Sequence, residues 1–266
     1  MKPLSVGNVV SAGIRIYRDN FKTYFKSAFL GYLWILVPVY GWAKYSAMMG
    51  TIARLAYGEV VEQPESLIDA QRHVKPKMWD FFATGILIGL ILSGAIIPFL
   101  IVIGIVGAVA GLVFSLDSGI GMVAGVLLII AAVVLLVFGI LWLISRLFLV
   151  ELPLAVEENA TATGTIKRSW DLTKGSAVRI QLVVFIGFLI SSPIIVVSNI
   201  ASAIFQLMIG AGMENAPGLA AIGVILYLLL VLAGGALMIP FWQAIKAVVY
   251  YDLRVRREGV GIGLRK

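Results

Sequence analysis

The chain has 266 residues, of which 61% are apolar and 13% are charged, whereas a soluble domain has about 45–50% and about 25%. This composition excludes a soluble globular fold, and a sequence without cysteine excludes disulfides, a thiolate nucleophile and Cys-based metal sites. The formal net charge is +7, which indicates anionic partners.

The first apolar stretch, Ala28–Ala56, is the weakest. If it crossed the membrane once, the basic residues before and after it would lie on opposite sides, although Lys and Arg tend to stay cytoplasmic. We therefore predict a turn at Pro38–Gly41 that joins two short helices, which span the membrane or are re-entrant or interfacial. A single kinked span is the alternative.

Four longer apolar stretches follow. Each exceeds the roughly 18–20 residues that cross a ~30 Å hydrocarbon core as a helix. They are Phe81–Phe114, Gly119–Ile144, Val183–Ile209 and Leu219–Phe241. With the first stretch they predict an all-α integral membrane protein of about six transmembrane helices, arranged as three hairpins.

The basic residues predict the orientation. All of the 21 except Lys44 lie in four groups: the N-terminal arm, the segments 54–77 and 146–179, and the end 246–266. Because cytoplasmic loops retain Lys and Arg, both termini are expected in the cytoplasm. The expected location is a bacterial inner (plasma) membrane or another internal membrane such as the thylakoid.

A basic, amphipathic segment precedes each hairpin. The residues that recur at helical spacing and share one face in these segments are Val10, Ile14, Tyr17, Phe21 and Tyr24; Leu67, Ala70, Val74 and Met78; and Ile166, Ser169, Trp170 and Thr173. We predict one membrane domain over 1–266 with three approximate repeats, 5–59, 64–158 and 160–259. Each repeat is an interfacial helix followed by a hairpin.

Three prolines are candidate helix breaks. Pro38 lies in the weak first stretch. The sequence separation between Trp79 and Pro98 equals that between Lys174 and Pro193, and both prolines lie inside long apolar runs. Since proline removes one helical hydrogen bond, we predict a kinked or broken helix at each.

Few residues indicate chemistry. The lone histidine, His73, lies in a basic segment and is expected to be a solvated surface residue. Glu151, Glu157, Glu158 and Asp171 form an acidic concentration beside many Arg and Lys, so ion pairing is the favoured interpretation over cation binding or proton exchange. We predict no catalytic, cofactor or metal site.

Charged residues near the bilayer interior are functional candidates because they are costly there. The nearest are Lys44, Asp117, Arg146 and Lys246, although each lies within snorkelling distance of an interface. The glycine pairs Gly85/Gly89, Gly107/Gly111 and Gly121/Gly125 have the spacing that lets helices approach closely. They predict packing within the bundle or self-association, and so a homo-oligomer or a membrane protein partner.

The basic clusters lie next to membrane helices and aromatic residues. Anionic lipid headgroups are therefore the expected partner, at roughly 1 kcal/mol per basic residue, and nucleic acid is not. The candidate lipid contacts are Arg254, Arg256, Arg257, Lys167, Arg168, Arg15, Arg18 and Lys22.

Two motifs carry a family resemblance: Ile166–Gly175 (IKRSWDLTKG) and Tyr250–Gly259 (YYDLRVRREG). With them the chain resembles a prokaryotic family labelled the glycerophosphoryl diester phosphodiesterase membrane domain, whose other members are called uncharacterised integral membrane proteins. The resemblance implies a membrane module. It implies no phosphodiesterase activity, because that activity belongs to a soluble barrel with paired histidines that this chain has no room for.

These features predict a non-enzymatic polytopic membrane protein that serves as an accessory, assembly or lipid-organising factor. The alternative is a transporter or channel for a small or amphipathic solute, because broken helices at matching positions of repeats can mark substrate sites. A membrane enzyme is the third hypothesis.

Overall fold

The structure is a computed structural model that describes residues 4–114 and 119–259, with side chains outside 119–121 and 214–215. Every regular element in these ranges is helical. The helices are α1 (Val6–Asp19), α2 (Phe21–Trp34), α3 (Tyr40–Val60), α4 (Leu67–Val74), α5 (Met78–Phe114), α6 (Gly119–Leu147), α7 (Glu151–Val156), α8 (Ala162–Thr173), α9 (Ala177–Asn215) and α10 (Pro217–Glu258), with a 3₁₀ turn at Lys75–Lys77 between α4 and α5.

Four helices, α5, α6, α9 and α10, are long and apolar enough to cross a membrane. The shortest, α6, has 29 residues, so it measures roughly 43 Å against a ~30 Å hydrocarbon core. Most of their large apolar side chains are exposed, as a lipid-facing surface requires. The chain is thus a multi-pass α-helical membrane protein, as predicted.

Helices α5 and α6 form an antiparallel pair. A Cβ atom at Gly125 would lie 2.6 Å from the ring of Phe114, and one at Gly139 would lie 2.5 Å from Phe99. The two glycines therefore make room for the two rings. The contacts run in opposite directions along the two helices, which defines the antiparallel arrangement.

Helices α9 and α10 pack in the same way. Gly187 makes room for Trp242 near one end of the pair, and a Cβ at Gly212 would lie 2.4 Å from the backbone nitrogen of Ala220 near the other. Small residues let the two backbones approach closely, as in other membrane helix pairs.

The first apolar stretch forms two helices, α2 and α3, that are joined by a turn at the predicted Pro38–Gly41 segment. Helix α2 ends at Trp34, Pro38 lies in the turn, and the Trp42 indole donates a hydrogen bond of 3.0 Å to the Ile35 carbonyl. A Cβ at Gly41 would lie 1.9 Å from the Trp34 carbonyl oxygen. Only glycine fits there, which explains why the Pro38–Gly41 segment turns.

The buried apolar core lies at one end of the molecule. It consists of residues from α1 to α4, α7 and α8, together with the start of α5 and α9 and the end of α10. Helix α3 lies in its centre and buries Ile52, Ala53 and Ala56 completely. We call this set of packed helices the helical platform, from which the long parts of α5, α6, α9 and α10 extend.

The three short helices α1, α4 and α8 begin alike. In each, a hydroxyl before the helix accepts a hydrogen bond from the backbone amide three residues later and so caps the helix N-terminus. The pairs are Ser5 with Asn8, Ser66 with Asp69 and Thr161 with Gly164, each at 3.2 Å.

The apolar face of α1 packs on protein. A Cβ at Gly13 would lie 2.8 Å from the Ile245 side chain and 3.0 Å from its Cα, so the two helices are in close contact. Val9 and Val10 are buried, whereas Arg15 is exposed. The predicted interfacial helix therefore covers α10 with the face that was expected to meet lipid.

Neither Pro98 nor Pro193 ends a helix. The sequence predicted a kink or a break at each proline, and neither helix is broken there. Helix α5 runs through Pro98 and α9 runs through Pro193. At Pro193 the carbonyl of Leu189 loses its amide partner, and the Ser192 hydroxyl donates to that carbonyl at 2.8 Å. A neighbouring hydroxyl thus satisfies the freed group, which lets the helix continue.

Candidate functional site

Charged side chains converge on Glu157, at the end of α7. Its carboxylate accepts hydrogen bonds from Arg168 of α8 at 3.0 Å and from the Tyr250 hydroxyl of α10 at 2.8 Å. The Lys77 ammonium donates to the Glu157 carbonyl at 2.5 Å. One residue therefore joins three elements that are far apart in the sequence, and the predicted pairing of this acidic residue is present.

Arg168 is held by two carboxylates, since Glu258 lies 2.5 Å from its guanidinium in addition to Glu157. Burial lowers the pKa of Arg168, but the hydrogen bond to Glu157 and the charges of Glu157 and Glu258 outweigh it and raise the pKa. Arg168, one of the predicted lipid contacts, is therefore paired with two carboxylates in the helical platform.

The three arginines of the C-terminal motif are engaged in the same way. Arg254 lies 3.0 Å from Glu258 and Arg256 lies 2.8 Å from Asp252, each one helical turn away. Arg257 donates to the Lys174 carbonyl. The predicted lipid contacts Arg254, Arg256 and Arg257 thus have protein partners: Arg254 and Arg256 pair with carboxylates of α10 itself, and Arg257 reaches the end of α8.

The remaining predicted lipid contacts are exposed, as Arg256 and Arg257 also are, but they differ in their partners. Arg15, Lys22 and Lys167 form no ion pair within residues 4–114 and 119–259, and Arg18 pairs only with its neighbour Asp19 at 3.1 Å. Arg15 and Lys22 belong to α1 and α2, whereas Lys167 belongs to α8. These cations remain open to an external anion.

Arg146 lies between two indole rings. Its guanidinium carbon is 5.2 Å from the centre of the Trp142 ring and 5.4 Å from that of Trp170, and its side chain is largely buried. Cation–π contacts favour this position for a cation that has lost its water. Ser169 donates to the Arg146 carbonyl at 2.7 Å, which ties α8 to the end of α6.

A cavity of about 330 Å³ lies between α3, α5, α7 and α10. Its polar wall contains Glu151, which accepts hydrogen bonds from Gln243 and, at 3.1 Å, from Lys246. The apolar wall includes Phe81 and Trp242. The sequence indicated Glu151 and Lys246 as charged residues near a boundary, but it could not indicate that they form a pair.

Two uncharged polar residues also line this cavity. Thr84 and Gln243 are each 2% exposed, and their atoms Oγ1 and Oε1 have no hydrogen-bond partner in the described part of the chain. Gln243 precedes Lys246 by three residues, which places both on one helical face. That spacing was the available signal for Gln243, and none existed for Thr84.

The glycine pairs of α5 do not pack against the rest of the chain. A Cβ at Gly85, Gly89, Gly107 or Gly111 would meet no atom within 4 Å, so the predicted packing role is wrong for these four within one chain. Gly125 does pack, as described above.

Asp117 lies outside the described residues.

No three His, Cys, Asp or Glu side chains come together in 4–114 and 119–259 as a metal site would need. His73 is half-buried and its Nε2 has no partner there.

No protein-family model, curated protein or solved structure matches the chain. The family resemblance therefore rests on the two motifs alone. In the structure, both motifs supply residues to the charged cluster around Glu157.

Proposed function

We propose that the chain crosses a bacterial inner membrane, or another internal membrane such as a thylakoid, four times, with the helical platform and both termini in the cytoplasm. The support is the position of the basic residues, which concentrate in the platform. The three capped helices, each followed by an antiparallel pair, support the threefold repeat.

The proposed number of crossings is four instead of six, because α2 and α3 enter and leave the membrane on its cytoplasmic face. Helix α2 has 14 residues, roughly 21 Å against a ~30 Å core. Near the turn, Lys44 lines one depression together with Gln71 and Lys75, which precede α5. The turn therefore lies close to the level at which α5 starts, and its exposed apolar residues, such as Leu36, suit a shallow insertion.

Within that placement the chain is a non-enzymatic protein that organises anionic lipid or assists the assembly of a membrane partner. The observation that carries this proposal is the division of the cations into two sets. Arg168, Arg254 and Arg256 have carboxylate partners, whereas Arg15, Lys22 and Lys167 are exposed without one in the described residues. The second set is suited to phosphate headgroups.

A matched pair of triple variants tests this. Both remove three positive charges: Arg15→Gln, Lys22→Gln and Lys167→Gln in one, and Arg254→Gln, Arg256→Gln and Arg257→Gln in the other. Each exposed cation is worth about 1 kcal/mol of lipid binding, so the first variant should lose most of its phosphatidylglycerol and cardiolipin. Mass spectrometry of lipids that co-purify in mild detergent measures this loss.

The second triple variant is the control, because its arginines are engaged with protein groups. It should keep its anionic lipid and lose thermal stability instead. Equal lipid retention by both variants and the unaltered chain, or a greater loss by the second variant, would refute the proposal.

Transport of an amphipathic solute is the second candidate, and the cavity beside Glu151 and Lys246 favours it. Flux of a lipid or solute across liposomes that contain the pure protein, lost when Glu151→Gln is introduced, would support transport. Liposomes without flux would leave the lipid-organising role as the better account.

A further inference from the structure

We propose that the cavity between α3, α5, α7 and α10 binds one amphiphile with an uncharged, hydroxyl-bearing headgroup, such as a diacylglycerol. The inference rests on the membrane placement proposed above, in which this cavity lies at the cytoplasmic boundary of the bilayer. It adds to the lipid-organising role a site that selects a headgroup.

The shape of the cavity suits an amphiphile. The cavity measures about 330 Å³, which fits a headgroup and the first methylenes of its chains. A second depression of about 230 Å³ shares Ile88, Phe148, Glu151 and Lys246 with it and continues along Leu92. The acyl chains therefore have an apolar path out of the cavity toward the lipid-exposed side of α5.

Two buried polar atoms without a hydrogen-bond partner favour a ligand that carries a hydroxyl. The amide nitrogen of Gln243 is used by Glu151, so its Oε1 is left as a buried acceptor without a donor. The Thr84 hydroxyl is likewise buried and without a partner in the described residues. A ligand hydroxyl can donate to the Gln243 Oε1 or accept from the Thr84 hydroxyl, and so satisfy a buried polar group.

The charges of the cavity disfavour a charged headgroup. Glu151 and Lys246 lie 3.1 Å apart and neutralise each other. They are the charged side chains among the residues that line the cavity. A phosphate or an ammonium would enter without a free counter-charge, and a buried charge without a partner is strongly unfavourable. A neutral headgroup avoids that cost.

Two glycines of α5 give a matched test. Gly85 and Gly89 both face open space, since a Cβ atom at either position meets no atom within 4 Å. Only Gly85 lines the cavity. We expect Gly85→Leu to fill the cavity and weaken ligand binding by more than about tenfold, whereas Gly89→Leu should leave binding unchanged.

The probe is 1,2-dioleoylglycerol, titrated into the detergent-purified full chain and measured by native mass spectrometry. The comparison ligand is 1,2-dioleoyl-3-acetylglycerol, which has the same chains but no hydroxyl. Thr84→Val should reduce dioleoylglycerol binding about tenfold. Thr51→Val should not, because the buried Thr51 hydroxyl donates to the Ala47 carbonyl and lies outside this cavity.

Equal binding of the two ligands, or unchanged binding by Gly85→Leu, would overturn the inference. Because the proposed function is tested by the retention of anionic lipid, the two can fail separately. Equal retention of anionic lipid by both triple variants and the unaltered chain, with dioleoylglycerol binding as expected, rejects the lipid-organising role alone. The reverse result rejects this cavity ligand alone.

Discussion

Tyr250 is fully buried below the charged cluster, and its hydroxyl donates to Glu157 at 2.8 Å. Its ring also packs edge-on against Tyr57, with the ring centres 5.6 Å apart. The residue therefore links the first, second and third sequence repeats through one side chain. A half-buried carboxylate that loses a donor is destabilised, so this hydroxyl is expected to matter for stability.

We expect Tyr250→Phe to lower the free energy of unfolding by about 1 kcal/mol, because the half-buried Glu157 carboxylate loses a hydrogen bond from a buried hydroxyl. Tyr251→Phe is the control, since the half-buried Tyr251 makes no hydrogen bond that the structure describes for its hydroxyl. Thermal unfolding in detergent measures both. Similar melting temperatures for the two variants would show that the Glu157 contact contributes nothing.

Some of these pairs could be predicted from the sequence. Arg254 precedes Glu258, and Asp252 precedes Arg256, by four residues each, which is the spacing of neighbours on a helix. This spacing therefore indicates the two ion pairs for the same arginines that were predicted as lipid contacts. The contact between Arg168 and Glu258 was beyond sequence reasoning, because it depends on how α8 packs on α10.

At the scale of elements, the contact between α1 and α10 depends on Gly13. A Cβ there would lie 3.0 Å from the Ile245 Cα, a backbone atom that cannot rotate away. Gly7 lies in the same helix, and a Cβ there meets no atom within 4 Å. Alanine substitutions at these two glycines therefore distinguish the effect of helix propensity from the effect of packing.

We expect Gly13→Ala to destabilise the chain, because α1 must move away from α10. Gly7→Ala should be neutral or stabilising by up to about 1 kcal/mol, since alanine favours the helix. Melting temperatures in detergent measure both variants. A Gly13→Ala variant as stable as Gly7→Ala would contradict the close contact between the helices.

The existence of the helices was easier to predict than their partners. Long apolar stretches identify α5, α6, α9 and α10 because length and composition alone suffice for a span. The apolar face of α1 was also visible, but a periodic pattern does not say whether lipid or protein covers it. Protein covers it here, since Val9, Val10 and Gly13 are buried in the platform.

At the scale of the whole molecule, the chain divides into a buried platform and long helices with exposed apolar surface. The number of crossings depends on whether α2 and α3 span the membrane or return to the same side of it. The sequence left this open because Ala28–Ala56 is apolar enough for either outcome. The packing of α3 in the centre of the platform favours a pair that returns to the same face.

Single cysteines test this account most directly, since the natural sequence has none. Leu36→Cys lies at the α2–α3 turn, Thr163→Cys on α8 and Gly218→Cys at the start of α10, and all three positions are exposed. A membrane-impermeant maleimide is applied to intact and permeabilised cells. We predict labelling of Gly218→Cys in intact cells, of Thr163→Cys only after permeabilisation, and of Leu36→Cys in neither. Labelling of Leu36→Cys in intact cells would contradict the four-crossing account.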